Sequence, residues 1–226
     1  MRKFLAILLC LIVLSPRAKA AENKKYVALT FDDGPSGKIT EHLLEGLAQR
    51  NARATFLLCG YRIKQFPDLP RQILEAGHEI GLHGYSHNNM KAMSRREIAR
   101  ELMDTEALLP ENCKIAFLRP PGGAYSDGVR QVAAARQYAV LGWSVDPRDW
   151  ATRDTAAIST AVTGKVQDGD IVLLHDMSRS SVTAALEIVD TLQQEGFTFV
   201  TVSELAKIRD VDMKPGKFYE RFPPGA

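Results

Sequence analysis

The chain has 226 residues, 45% hydrophobic and 25% charged, a balance that fits one folded domain with a sizeable core and argues against disorder. No repeat of roughly 20–50 residues is present, which removes solenoids and propellers. The formal net charge is +2, but four of the 29 Lys and Arg residues (Arg2, Lys3, Arg17 and Lys19) precede Ala21, and no Asp or Glu does. The remaining 25 basic residues face 27 acidic ones, and that net of −2 excludes the basic surface of a nucleic-acid binder.

Residues 1–20 read as an export signal. Met1-Arg2-Lys3 gives a positive start, Phe4–Leu14 an apolar run, Ser15-Pro16 a helix break, and Ala18-Lys19-Ala20 an A-x-A cleavage pattern. The run has 11 residues, too few to cross about 30 Å of hydrocarbon. No later stretch approaches membrane-spanning length. The expected mature chain starts at Ala21 and is exported, to the periplasm or to the outside. Cys10 leaves with the signal, and Cys59 and Cys113 remain where disulfides are permitted. Paired and free thiols both stay open.

Seven runs rich in Val, Ile, Leu, Phe and Thr read as buried strands: Tyr26–Phe31, Ala54–Cys59, Glu79–His83, Ile115–Leu118, Tyr138–Val145, Asp170–His175 and Thr198–Val202. Helical spacing fills the intervals. Ile39, Leu43, Leu44 and Leu47 share one face, as do Ile98, Leu102, Thr105 and Leu109. Further helices are expected over Pro70–Ala76, Asp127–Arg136, Thr155–Val166 and Val182–Gln194. Ser94-Arg-Arg-Glu97 fits a capping box, and Gly77 and Gly196 stand where helices should stop. Repeated alternation means parallel strands with right-handed crossovers, in either a barrel or an open doubly wound sheet. Ionisable groups at five successive strand ends favour the barrel, where such ends converge.

Those ends carry the chemistry. Asp32 and Asp33 leave the first strand in different directions and can serve different roles. His83 and His87 are spaced so that both imidazoles reach one ion. With Asp33 they make two nitrogens and one oxygen, and three protein ligands leave a position for water, the pattern of a catalytic metal site. Arg119-Pro-Pro-Gly-Gly123 fixes a guanidinium and offers the Gly122 and Gly123 amides to an oxyanion. Asp146-Pro-Arg-Asp149-Trp150 puts two carboxylates and an indole on one loop. His175 emerges from the apolar run Ile171–Leu174, a poor place for a solvated histidine. His78 reads as structural and His42 as solvated.

In this order the five segments resemble the motifs of the polysaccharide deacetylase family, carbohydrate esterase family 4, also called the NodB homology domain. The likeness runs from about Tyr26 to Leu205. It implies an α/β fold, a distorted (β/α) barrel of about seven parallel strands in a single domain (residues 21–210) with a C-terminal tail over 211–226. It further implies a divalent metal held by Asp33, His83 and His87, with Zn suited to the donors and Co, Ni or Mn also able to bind. Asp32 would be the general base and His175 the general acid. Arg119 would hold Asp32, and the loop with Asp146 and Asp149 would support the acid, Asp149 orienting His175. Leu173 would line the acetyl-methyl pocket, with Trp150 also on the substrate. The substrate would be an acetylated glycan and the enzyme a monomer.

Two positions depart from the family pattern. Gly122 stands where an aromatic residue is usual, so one groove wall must come from elsewhere, with Tyr125 the candidate. Gly84 stands where Ser or Thr is usual, and the lost hydrogen bond predicts a looser His87 loop. Three functions are compatible: deacetylation of N-acetylglucosamine polymers such as peptidoglycan or chitin-like oligomers; O-acetyl (xylan-type) esterase or deformylase action at the same site; and an inactive glycan-binding module, which intact ligands, base and acid disfavour.

Overall fold

β1 (Lys25–Asp32) is the longest strand of the computed structural model, which describes residues 24–225; the expected export signal lies outside the described residues. Every residue of β1 from Val27 to Asp32 is buried, as a strand covered on both faces requires. Helix α1 (Lys38–Gln49) follows, burying Leu43, Leu44 and Leu47. Then come β2 (Thr55–Leu58), α2 (Gly60–Gln65), α3 (Leu69–Glu75) and β3 (Glu79–Leu82). The second half runs through α4 (Arg95–Glu106), β4 (Phe117–Leu118), α5 (Asp127–Ala135), β5 (Ala139–Leu141), α6 (Thr155–Thr163) and β6 (Ile171–His175). It ends with α7 (Arg179–Gln194), β7 (Phe197–Phe199), α8 (Val202–Ile208) and β8 (Phe218–Tyr219).

The sheet order is β6-β1-β2-β3-β4-β5-β8, with β7 pairing the first residues of β1. All pairings between these strands are parallel. The Ser94/Glu97 capping box forms as expected and starts α4. The two ends of the sheet approach each other. β8 extends beyond β5, Arg221 bridges Asp170 in antiparallel sense, and the Phe222 N–H donates to the Gly169 carbonyl at 2.7 Å. Val145 also bridges Val172 of β6. The architecture is a distorted (β/α) barrel rather than an open sheet.

Three details differ from the sequence reading. The fifth strand stops at Leu141 because the Gly142 carbonyl turns to accept from Arg119 at 2.7 Å. Val202 starts α8 instead of ending a strand, because Thr201 and Glu204 form a second capping box. The tail, which shows no strand period, supplies β8 and the buried Phe222. Cys59 and Cys113 are free thiols; burial pushes Cys113 up to about 11 and Cys59 higher still. Among the described residues no helix is long and apolar enough to cross a membrane.

Candidate active site

The ionisable residues named from the sequence collect at the C-terminal ends of the strands, where parallel barrels build their sites. β1 delivers Asp32 and Asp33, β3 leads into His83, β4 into Arg119, and β6 ends at His175. Register pairs Asp32 with His175 across β1 and β6. A cleft of about 450 Å³ is lined by Asp32, Asp33, His83, His87 and His175. Trp143, Trp150, Leu173, Gly122 and Asp146 complete its walls.

One ligand atom each from Asp33, His83 and His87 lies within 4.8 Å of the other two. His83 Nδ1 sits 2.7 Å from the Arg119 carbonyl oxygen. That oxygen can only accept, so Nδ1 carries the proton and Nε2 presents a lone pair. The lone pair faces Asp33 Oδ1 at 3.3 Å, with His87 Nε2 2.9 Å from the same oxygen. Asp33 Oδ1 is buried and accepts no hydrogen bond. Two acceptors held face to face without a proton between them suit a shared cation, and nitrogen with carboxylate donors suits a divalent first-row metal. Asp33 (φ 71°) and His87 (φ 60°) both adopt left-handed backbone, a conformation that costs non-glycine residues about 1–3 kcal/mol and gathers at functional sites.

Asp32 stands beside this cluster, its Oδ2 3.7 Å from His83 Nε2, and its other oxygen is held from behind. Arg119 Nη1 donates to Asp32 Oδ1 at 2.6 Å and to Thr30 Oγ1 at 2.8 Å, and Arg119 is wholly buried. The guanidinium also lies over the Trp143 ring at 5.5 Å. His175 faces the cleft from the other side, its Nε2 4.0 Å from Asp33 Oδ2. Asp149 lies behind it, Oδ1 2.8 Å from Nδ1.

The structure does not bring every named residue to the cleft. Tyr125 packs against Phe218 with the rings tilted and donates to the Gly216 carbonyl at 3.2 Å, so it braces the tail. Gly123 packs against Trp143 and leaves Gly122 as the exposed residue of the pair. Asp146 stays at the rim, its Oδ1 accepting the Arg148 N–H at 2.7 Å, while the hydrogen bond to the His175 ring comes from Asp149. The aromatic walls are Trp143 and the exposed Trp150. Sequence reading missed Trp143; its place two residues past Leu141, on a strand end, was the available signal. The His87 loop, expected to lack a hydrogen bond at Gly84, is tied to two helices. Its carbonyls are held by α2 and its amides by Glu101 of α4. His78 is buried and structural, its Nδ1 accepting the Ala54 N–H, and His42 is exposed.

A parallel barrel with acidic and imidazole groups gathered at its strand ends defines a hydrolase-type site. The polysaccharide deacetylase family model matches residues 19–141. A peptidoglycan-N-acetylglucosamine deacetylase of Bacillus cereus is 39% identical over 193 residues, covering 83% of this chain and 91% of that protein. The peptidoglycan deacetylase PdaC of Bacillus subtilis superposes with a TM-score of 0.79 at 33% identity, over 83% of this chain and 93% of that structure. Of the full-length PdaC, this chain spans 40%. A family 4 acetyl xylan esterase of Clostridium thermocellum, solved with a cobalt ion, gives 0.82 at 32% identity, over 88% and 100% of the two chains. The chain belongs to the polysaccharide deacetylase family, and it is an enzyme of that hydrolase class.

Proposed function

We propose that this protein removes N-acetyl groups from N-acetylglucosamine-containing polysaccharide, peptidoglycan or chitin-like oligomers, in a metal-dependent hydrolysis. The observation that carries the reading is Asp33 Oδ1, buried without a hydrogen bond between two imidazole nitrogens, with a separately held carboxylate and a separately held imidazole on either side.

Asp33, His83 and His87 would hold the ion, Zn²⁺ by donor preference. When bound, a divalent cation lowers the pKa of water from about 15.7 toward 7 and polarises an acyl oxygen. Asp32 is kept off the ion by Arg119, so its carboxylate is free to take the proton of the attacking water. His175 gives its Nε2 proton to the departing nitrogen, while Asp149 holds Nδ1. The Gly122 amide stands at the cleft as a donor for developing negative charge. Leu173 offers an apolar wall to the acetyl methyl, and Trp143 and Trp150 flank the sugar. A positioned acid or base contributes roughly 10²–10⁴ in rate.

Export belongs to the same proposal: residues 1–20 as a removed signal, residues 21–210 as the catalytic unit, and 211–226 as a tail bracing its wall, acting as a monomer in the periplasm or outside the cell. The likeness to an acetyl xylan esterase and the open wall at Gly122 favour O-acetyl esterase action as a second reading. Zinc-loaded protein incubated with chitooligosaccharides, peptidoglycan and acetylated xylan, with acetate release measured, separates them. Release from the first two and loss with a chelator is the expected result. Release from xylan alone selects the esterase, and no release from any substrate refutes both.

A further inference from the structure

His87 is the exposed member of the cluster, its side chain 42% accessible, and it sits on left-handed backbone at φ 60°. Its position therefore depends on the chain that precedes it. A full accounting of that backbone is possible. The carbonyls of Gly84 and Tyr85 accept from the Gly60 and Tyr61 N–H groups, each at 3.0 Å. These are first-turn amides of α2, which have no partner inside their own helix. The amides of Tyr85 and Ser86 both donate to Glu101 Oε2, each at 2.7 Å, and Ser86 Oγ donates to Glu101 Oε1 at 2.8 Å. One carboxylate on α4 thus takes three hydrogen bonds from the two residues immediately before His87. Bonds of this charge-assisted kind are the strong ones. Gly84 makes room for it. At φ +81°, a Cβ there would lie 2.8 Å from Met90 Cε and 3.2 Å from Glu101 Oε2.

We propose that Glu101 is the positioning residue for His87, its carboxylate clamping the Tyr85-Ser86 amides so that the exposed imidazole stays in reach of the ion shared with Asp33 and His83. This rests on the reading of those three residues as ligands. A contact that merely docked α4 onto the loop would add stability without affecting the ion. Metal affinity and the stability of the metal-free protein separate the two roles.

Zn²⁺ affinity is measured by competition with a chromophoric chelator for wild type, Glu101→Ala, Glu101→Gln and Ser86→Ala, alongside thermal unfolding of each metal-free protein. Loss of an outer partner of this kind weakens metal binding by about 10–100-fold, and that is the result expected for Glu101→Ala. Glu101→Gln can accept both amides on its oxygen and donate its NH₂ group to Ser86 Oγ, so it should bind close to wild type. Ser86→Ala should fall between. Wild-type affinity in Glu101→Ala, or affinity in Glu101→Gln as poor as in Glu101→Ala, would overturn the proposal. If Glu101→Ala does not fold, Ser86→Ala decides: affinity equal to wild type counts against the clamp. Wild-type protein that binds no Zn²⁺ would instead overturn the ligand reading itself.

Discussion

Asp149 holds His175 at two points: Oδ1 lies 2.8 Å from the imidazole Nδ1, and Oδ2 accepts the backbone N–H of the same residue at 2.9 Å. One carboxylate thus fixes both the ring and the chain that carries it. Because a carboxylate accepts, the proton sits on Nδ1 and Nε2 is turned toward the cleft. Burial lowers the basicity of His175, but Asp149, aided by Asp32 and Asp33, raises its pKa to about 9.

A raised pKa keeps the acid protonated up to that value and loses it above, so turnover should decline on the alkaline side. A bound cation opposes the charges of Asp32 and Asp33, and the loaded enzyme's alkaline limb should therefore lie below about 9. Asp149→Asn should move the limb lower still and reduce kcat on the order of 10²-fold, with Zn²⁺ affinity retained. A pH–rate profile whose alkaline limb does not move in this variant would sink the assigned role.

Arg119 and Asp32 form a buried pair, 0% and 3% exposed. Replacing one partner strands the other's charge, so Arg119→Met should cost about 3–5 kcal/mol of stability, read by urea denaturation. Asp32→Asn keeps a hydrogen-bonding group beside the guanidinium. It should retain fold and metal while kcat drops roughly 10²–10⁴-fold. Undiminished turnover in purified Asp32→Asn would remove Asp32 as the base.

His78 is buried with its Nδ1 accepting the Ala54 N–H at 3.1 Å, and burial lowers its pKa to about 4. The unfolded chain binds this proton near pH 6.5. The contribution to stability is therefore complete above about 6.5 and lost as pH falls toward 4, amounting to at most about 3 kcal/mol. His78→Leu should be less stable at pH 7 but flatter in its acid response. Unfolding midpoints of both proteins between pH 7 and 4.5 check this; parallel curves would contradict it.

Gly122 lines the cleft and also an adjoining hollow bordered by His87, Asn89 and Lys91. Nothing lies within 4 Å of where its Cβ would stand. Gly122→Tyr should rebuild a wall there, lowering KM for linear chitooligosaccharides and raising it for peptide-bearing peptidoglycan. The left-handed φ of 61° adds a stability cost of about 1–2 kcal/mol. Equal KM changes on both substrates would show that the opening does not select between them.

Most of the site was legible because its residues end apolar runs: Asp32, His83, Arg119 and His175 each stand where a buried strand meets the loop side. Strand–helix alternation likewise revealed the parallel α/β sheet, and the ionisable strand ends favoured the barrel over an open sheet. What stayed hidden depends on contacts between distant segments. Glu101 lies on a helix whose pattern advertises only Ile98, Leu102, Thr105 and Leu109, and its partners come from another loop. The six residues of α2 are too few to show a period. Tyr125 looked like a groove aromatic because it is near Gly122 in sequence, yet its partners Phe218 and Gly216 come from a tail of no visible pattern. Spacing alone did not separate Asp146 from Asp149; the family resemblance singled out Asp149 to orient His175, and the two lie on either side of the left-handed turn at Arg148, with φ 56°.

The seam between β8 and β6 has a consequence for the order of assembly. Residues 218–222, which close the wall, follow all seven other strands along the chain, so they are made after the rest of the barrel. Until they arrive, the outer edge of β5 has no partner on that side, and Ala139–Leu141 is an apolar edge open to other chains. The strand that arrives after the others thus covers an edge they leave bare, and keeps it from pairing with a neighbouring molecule.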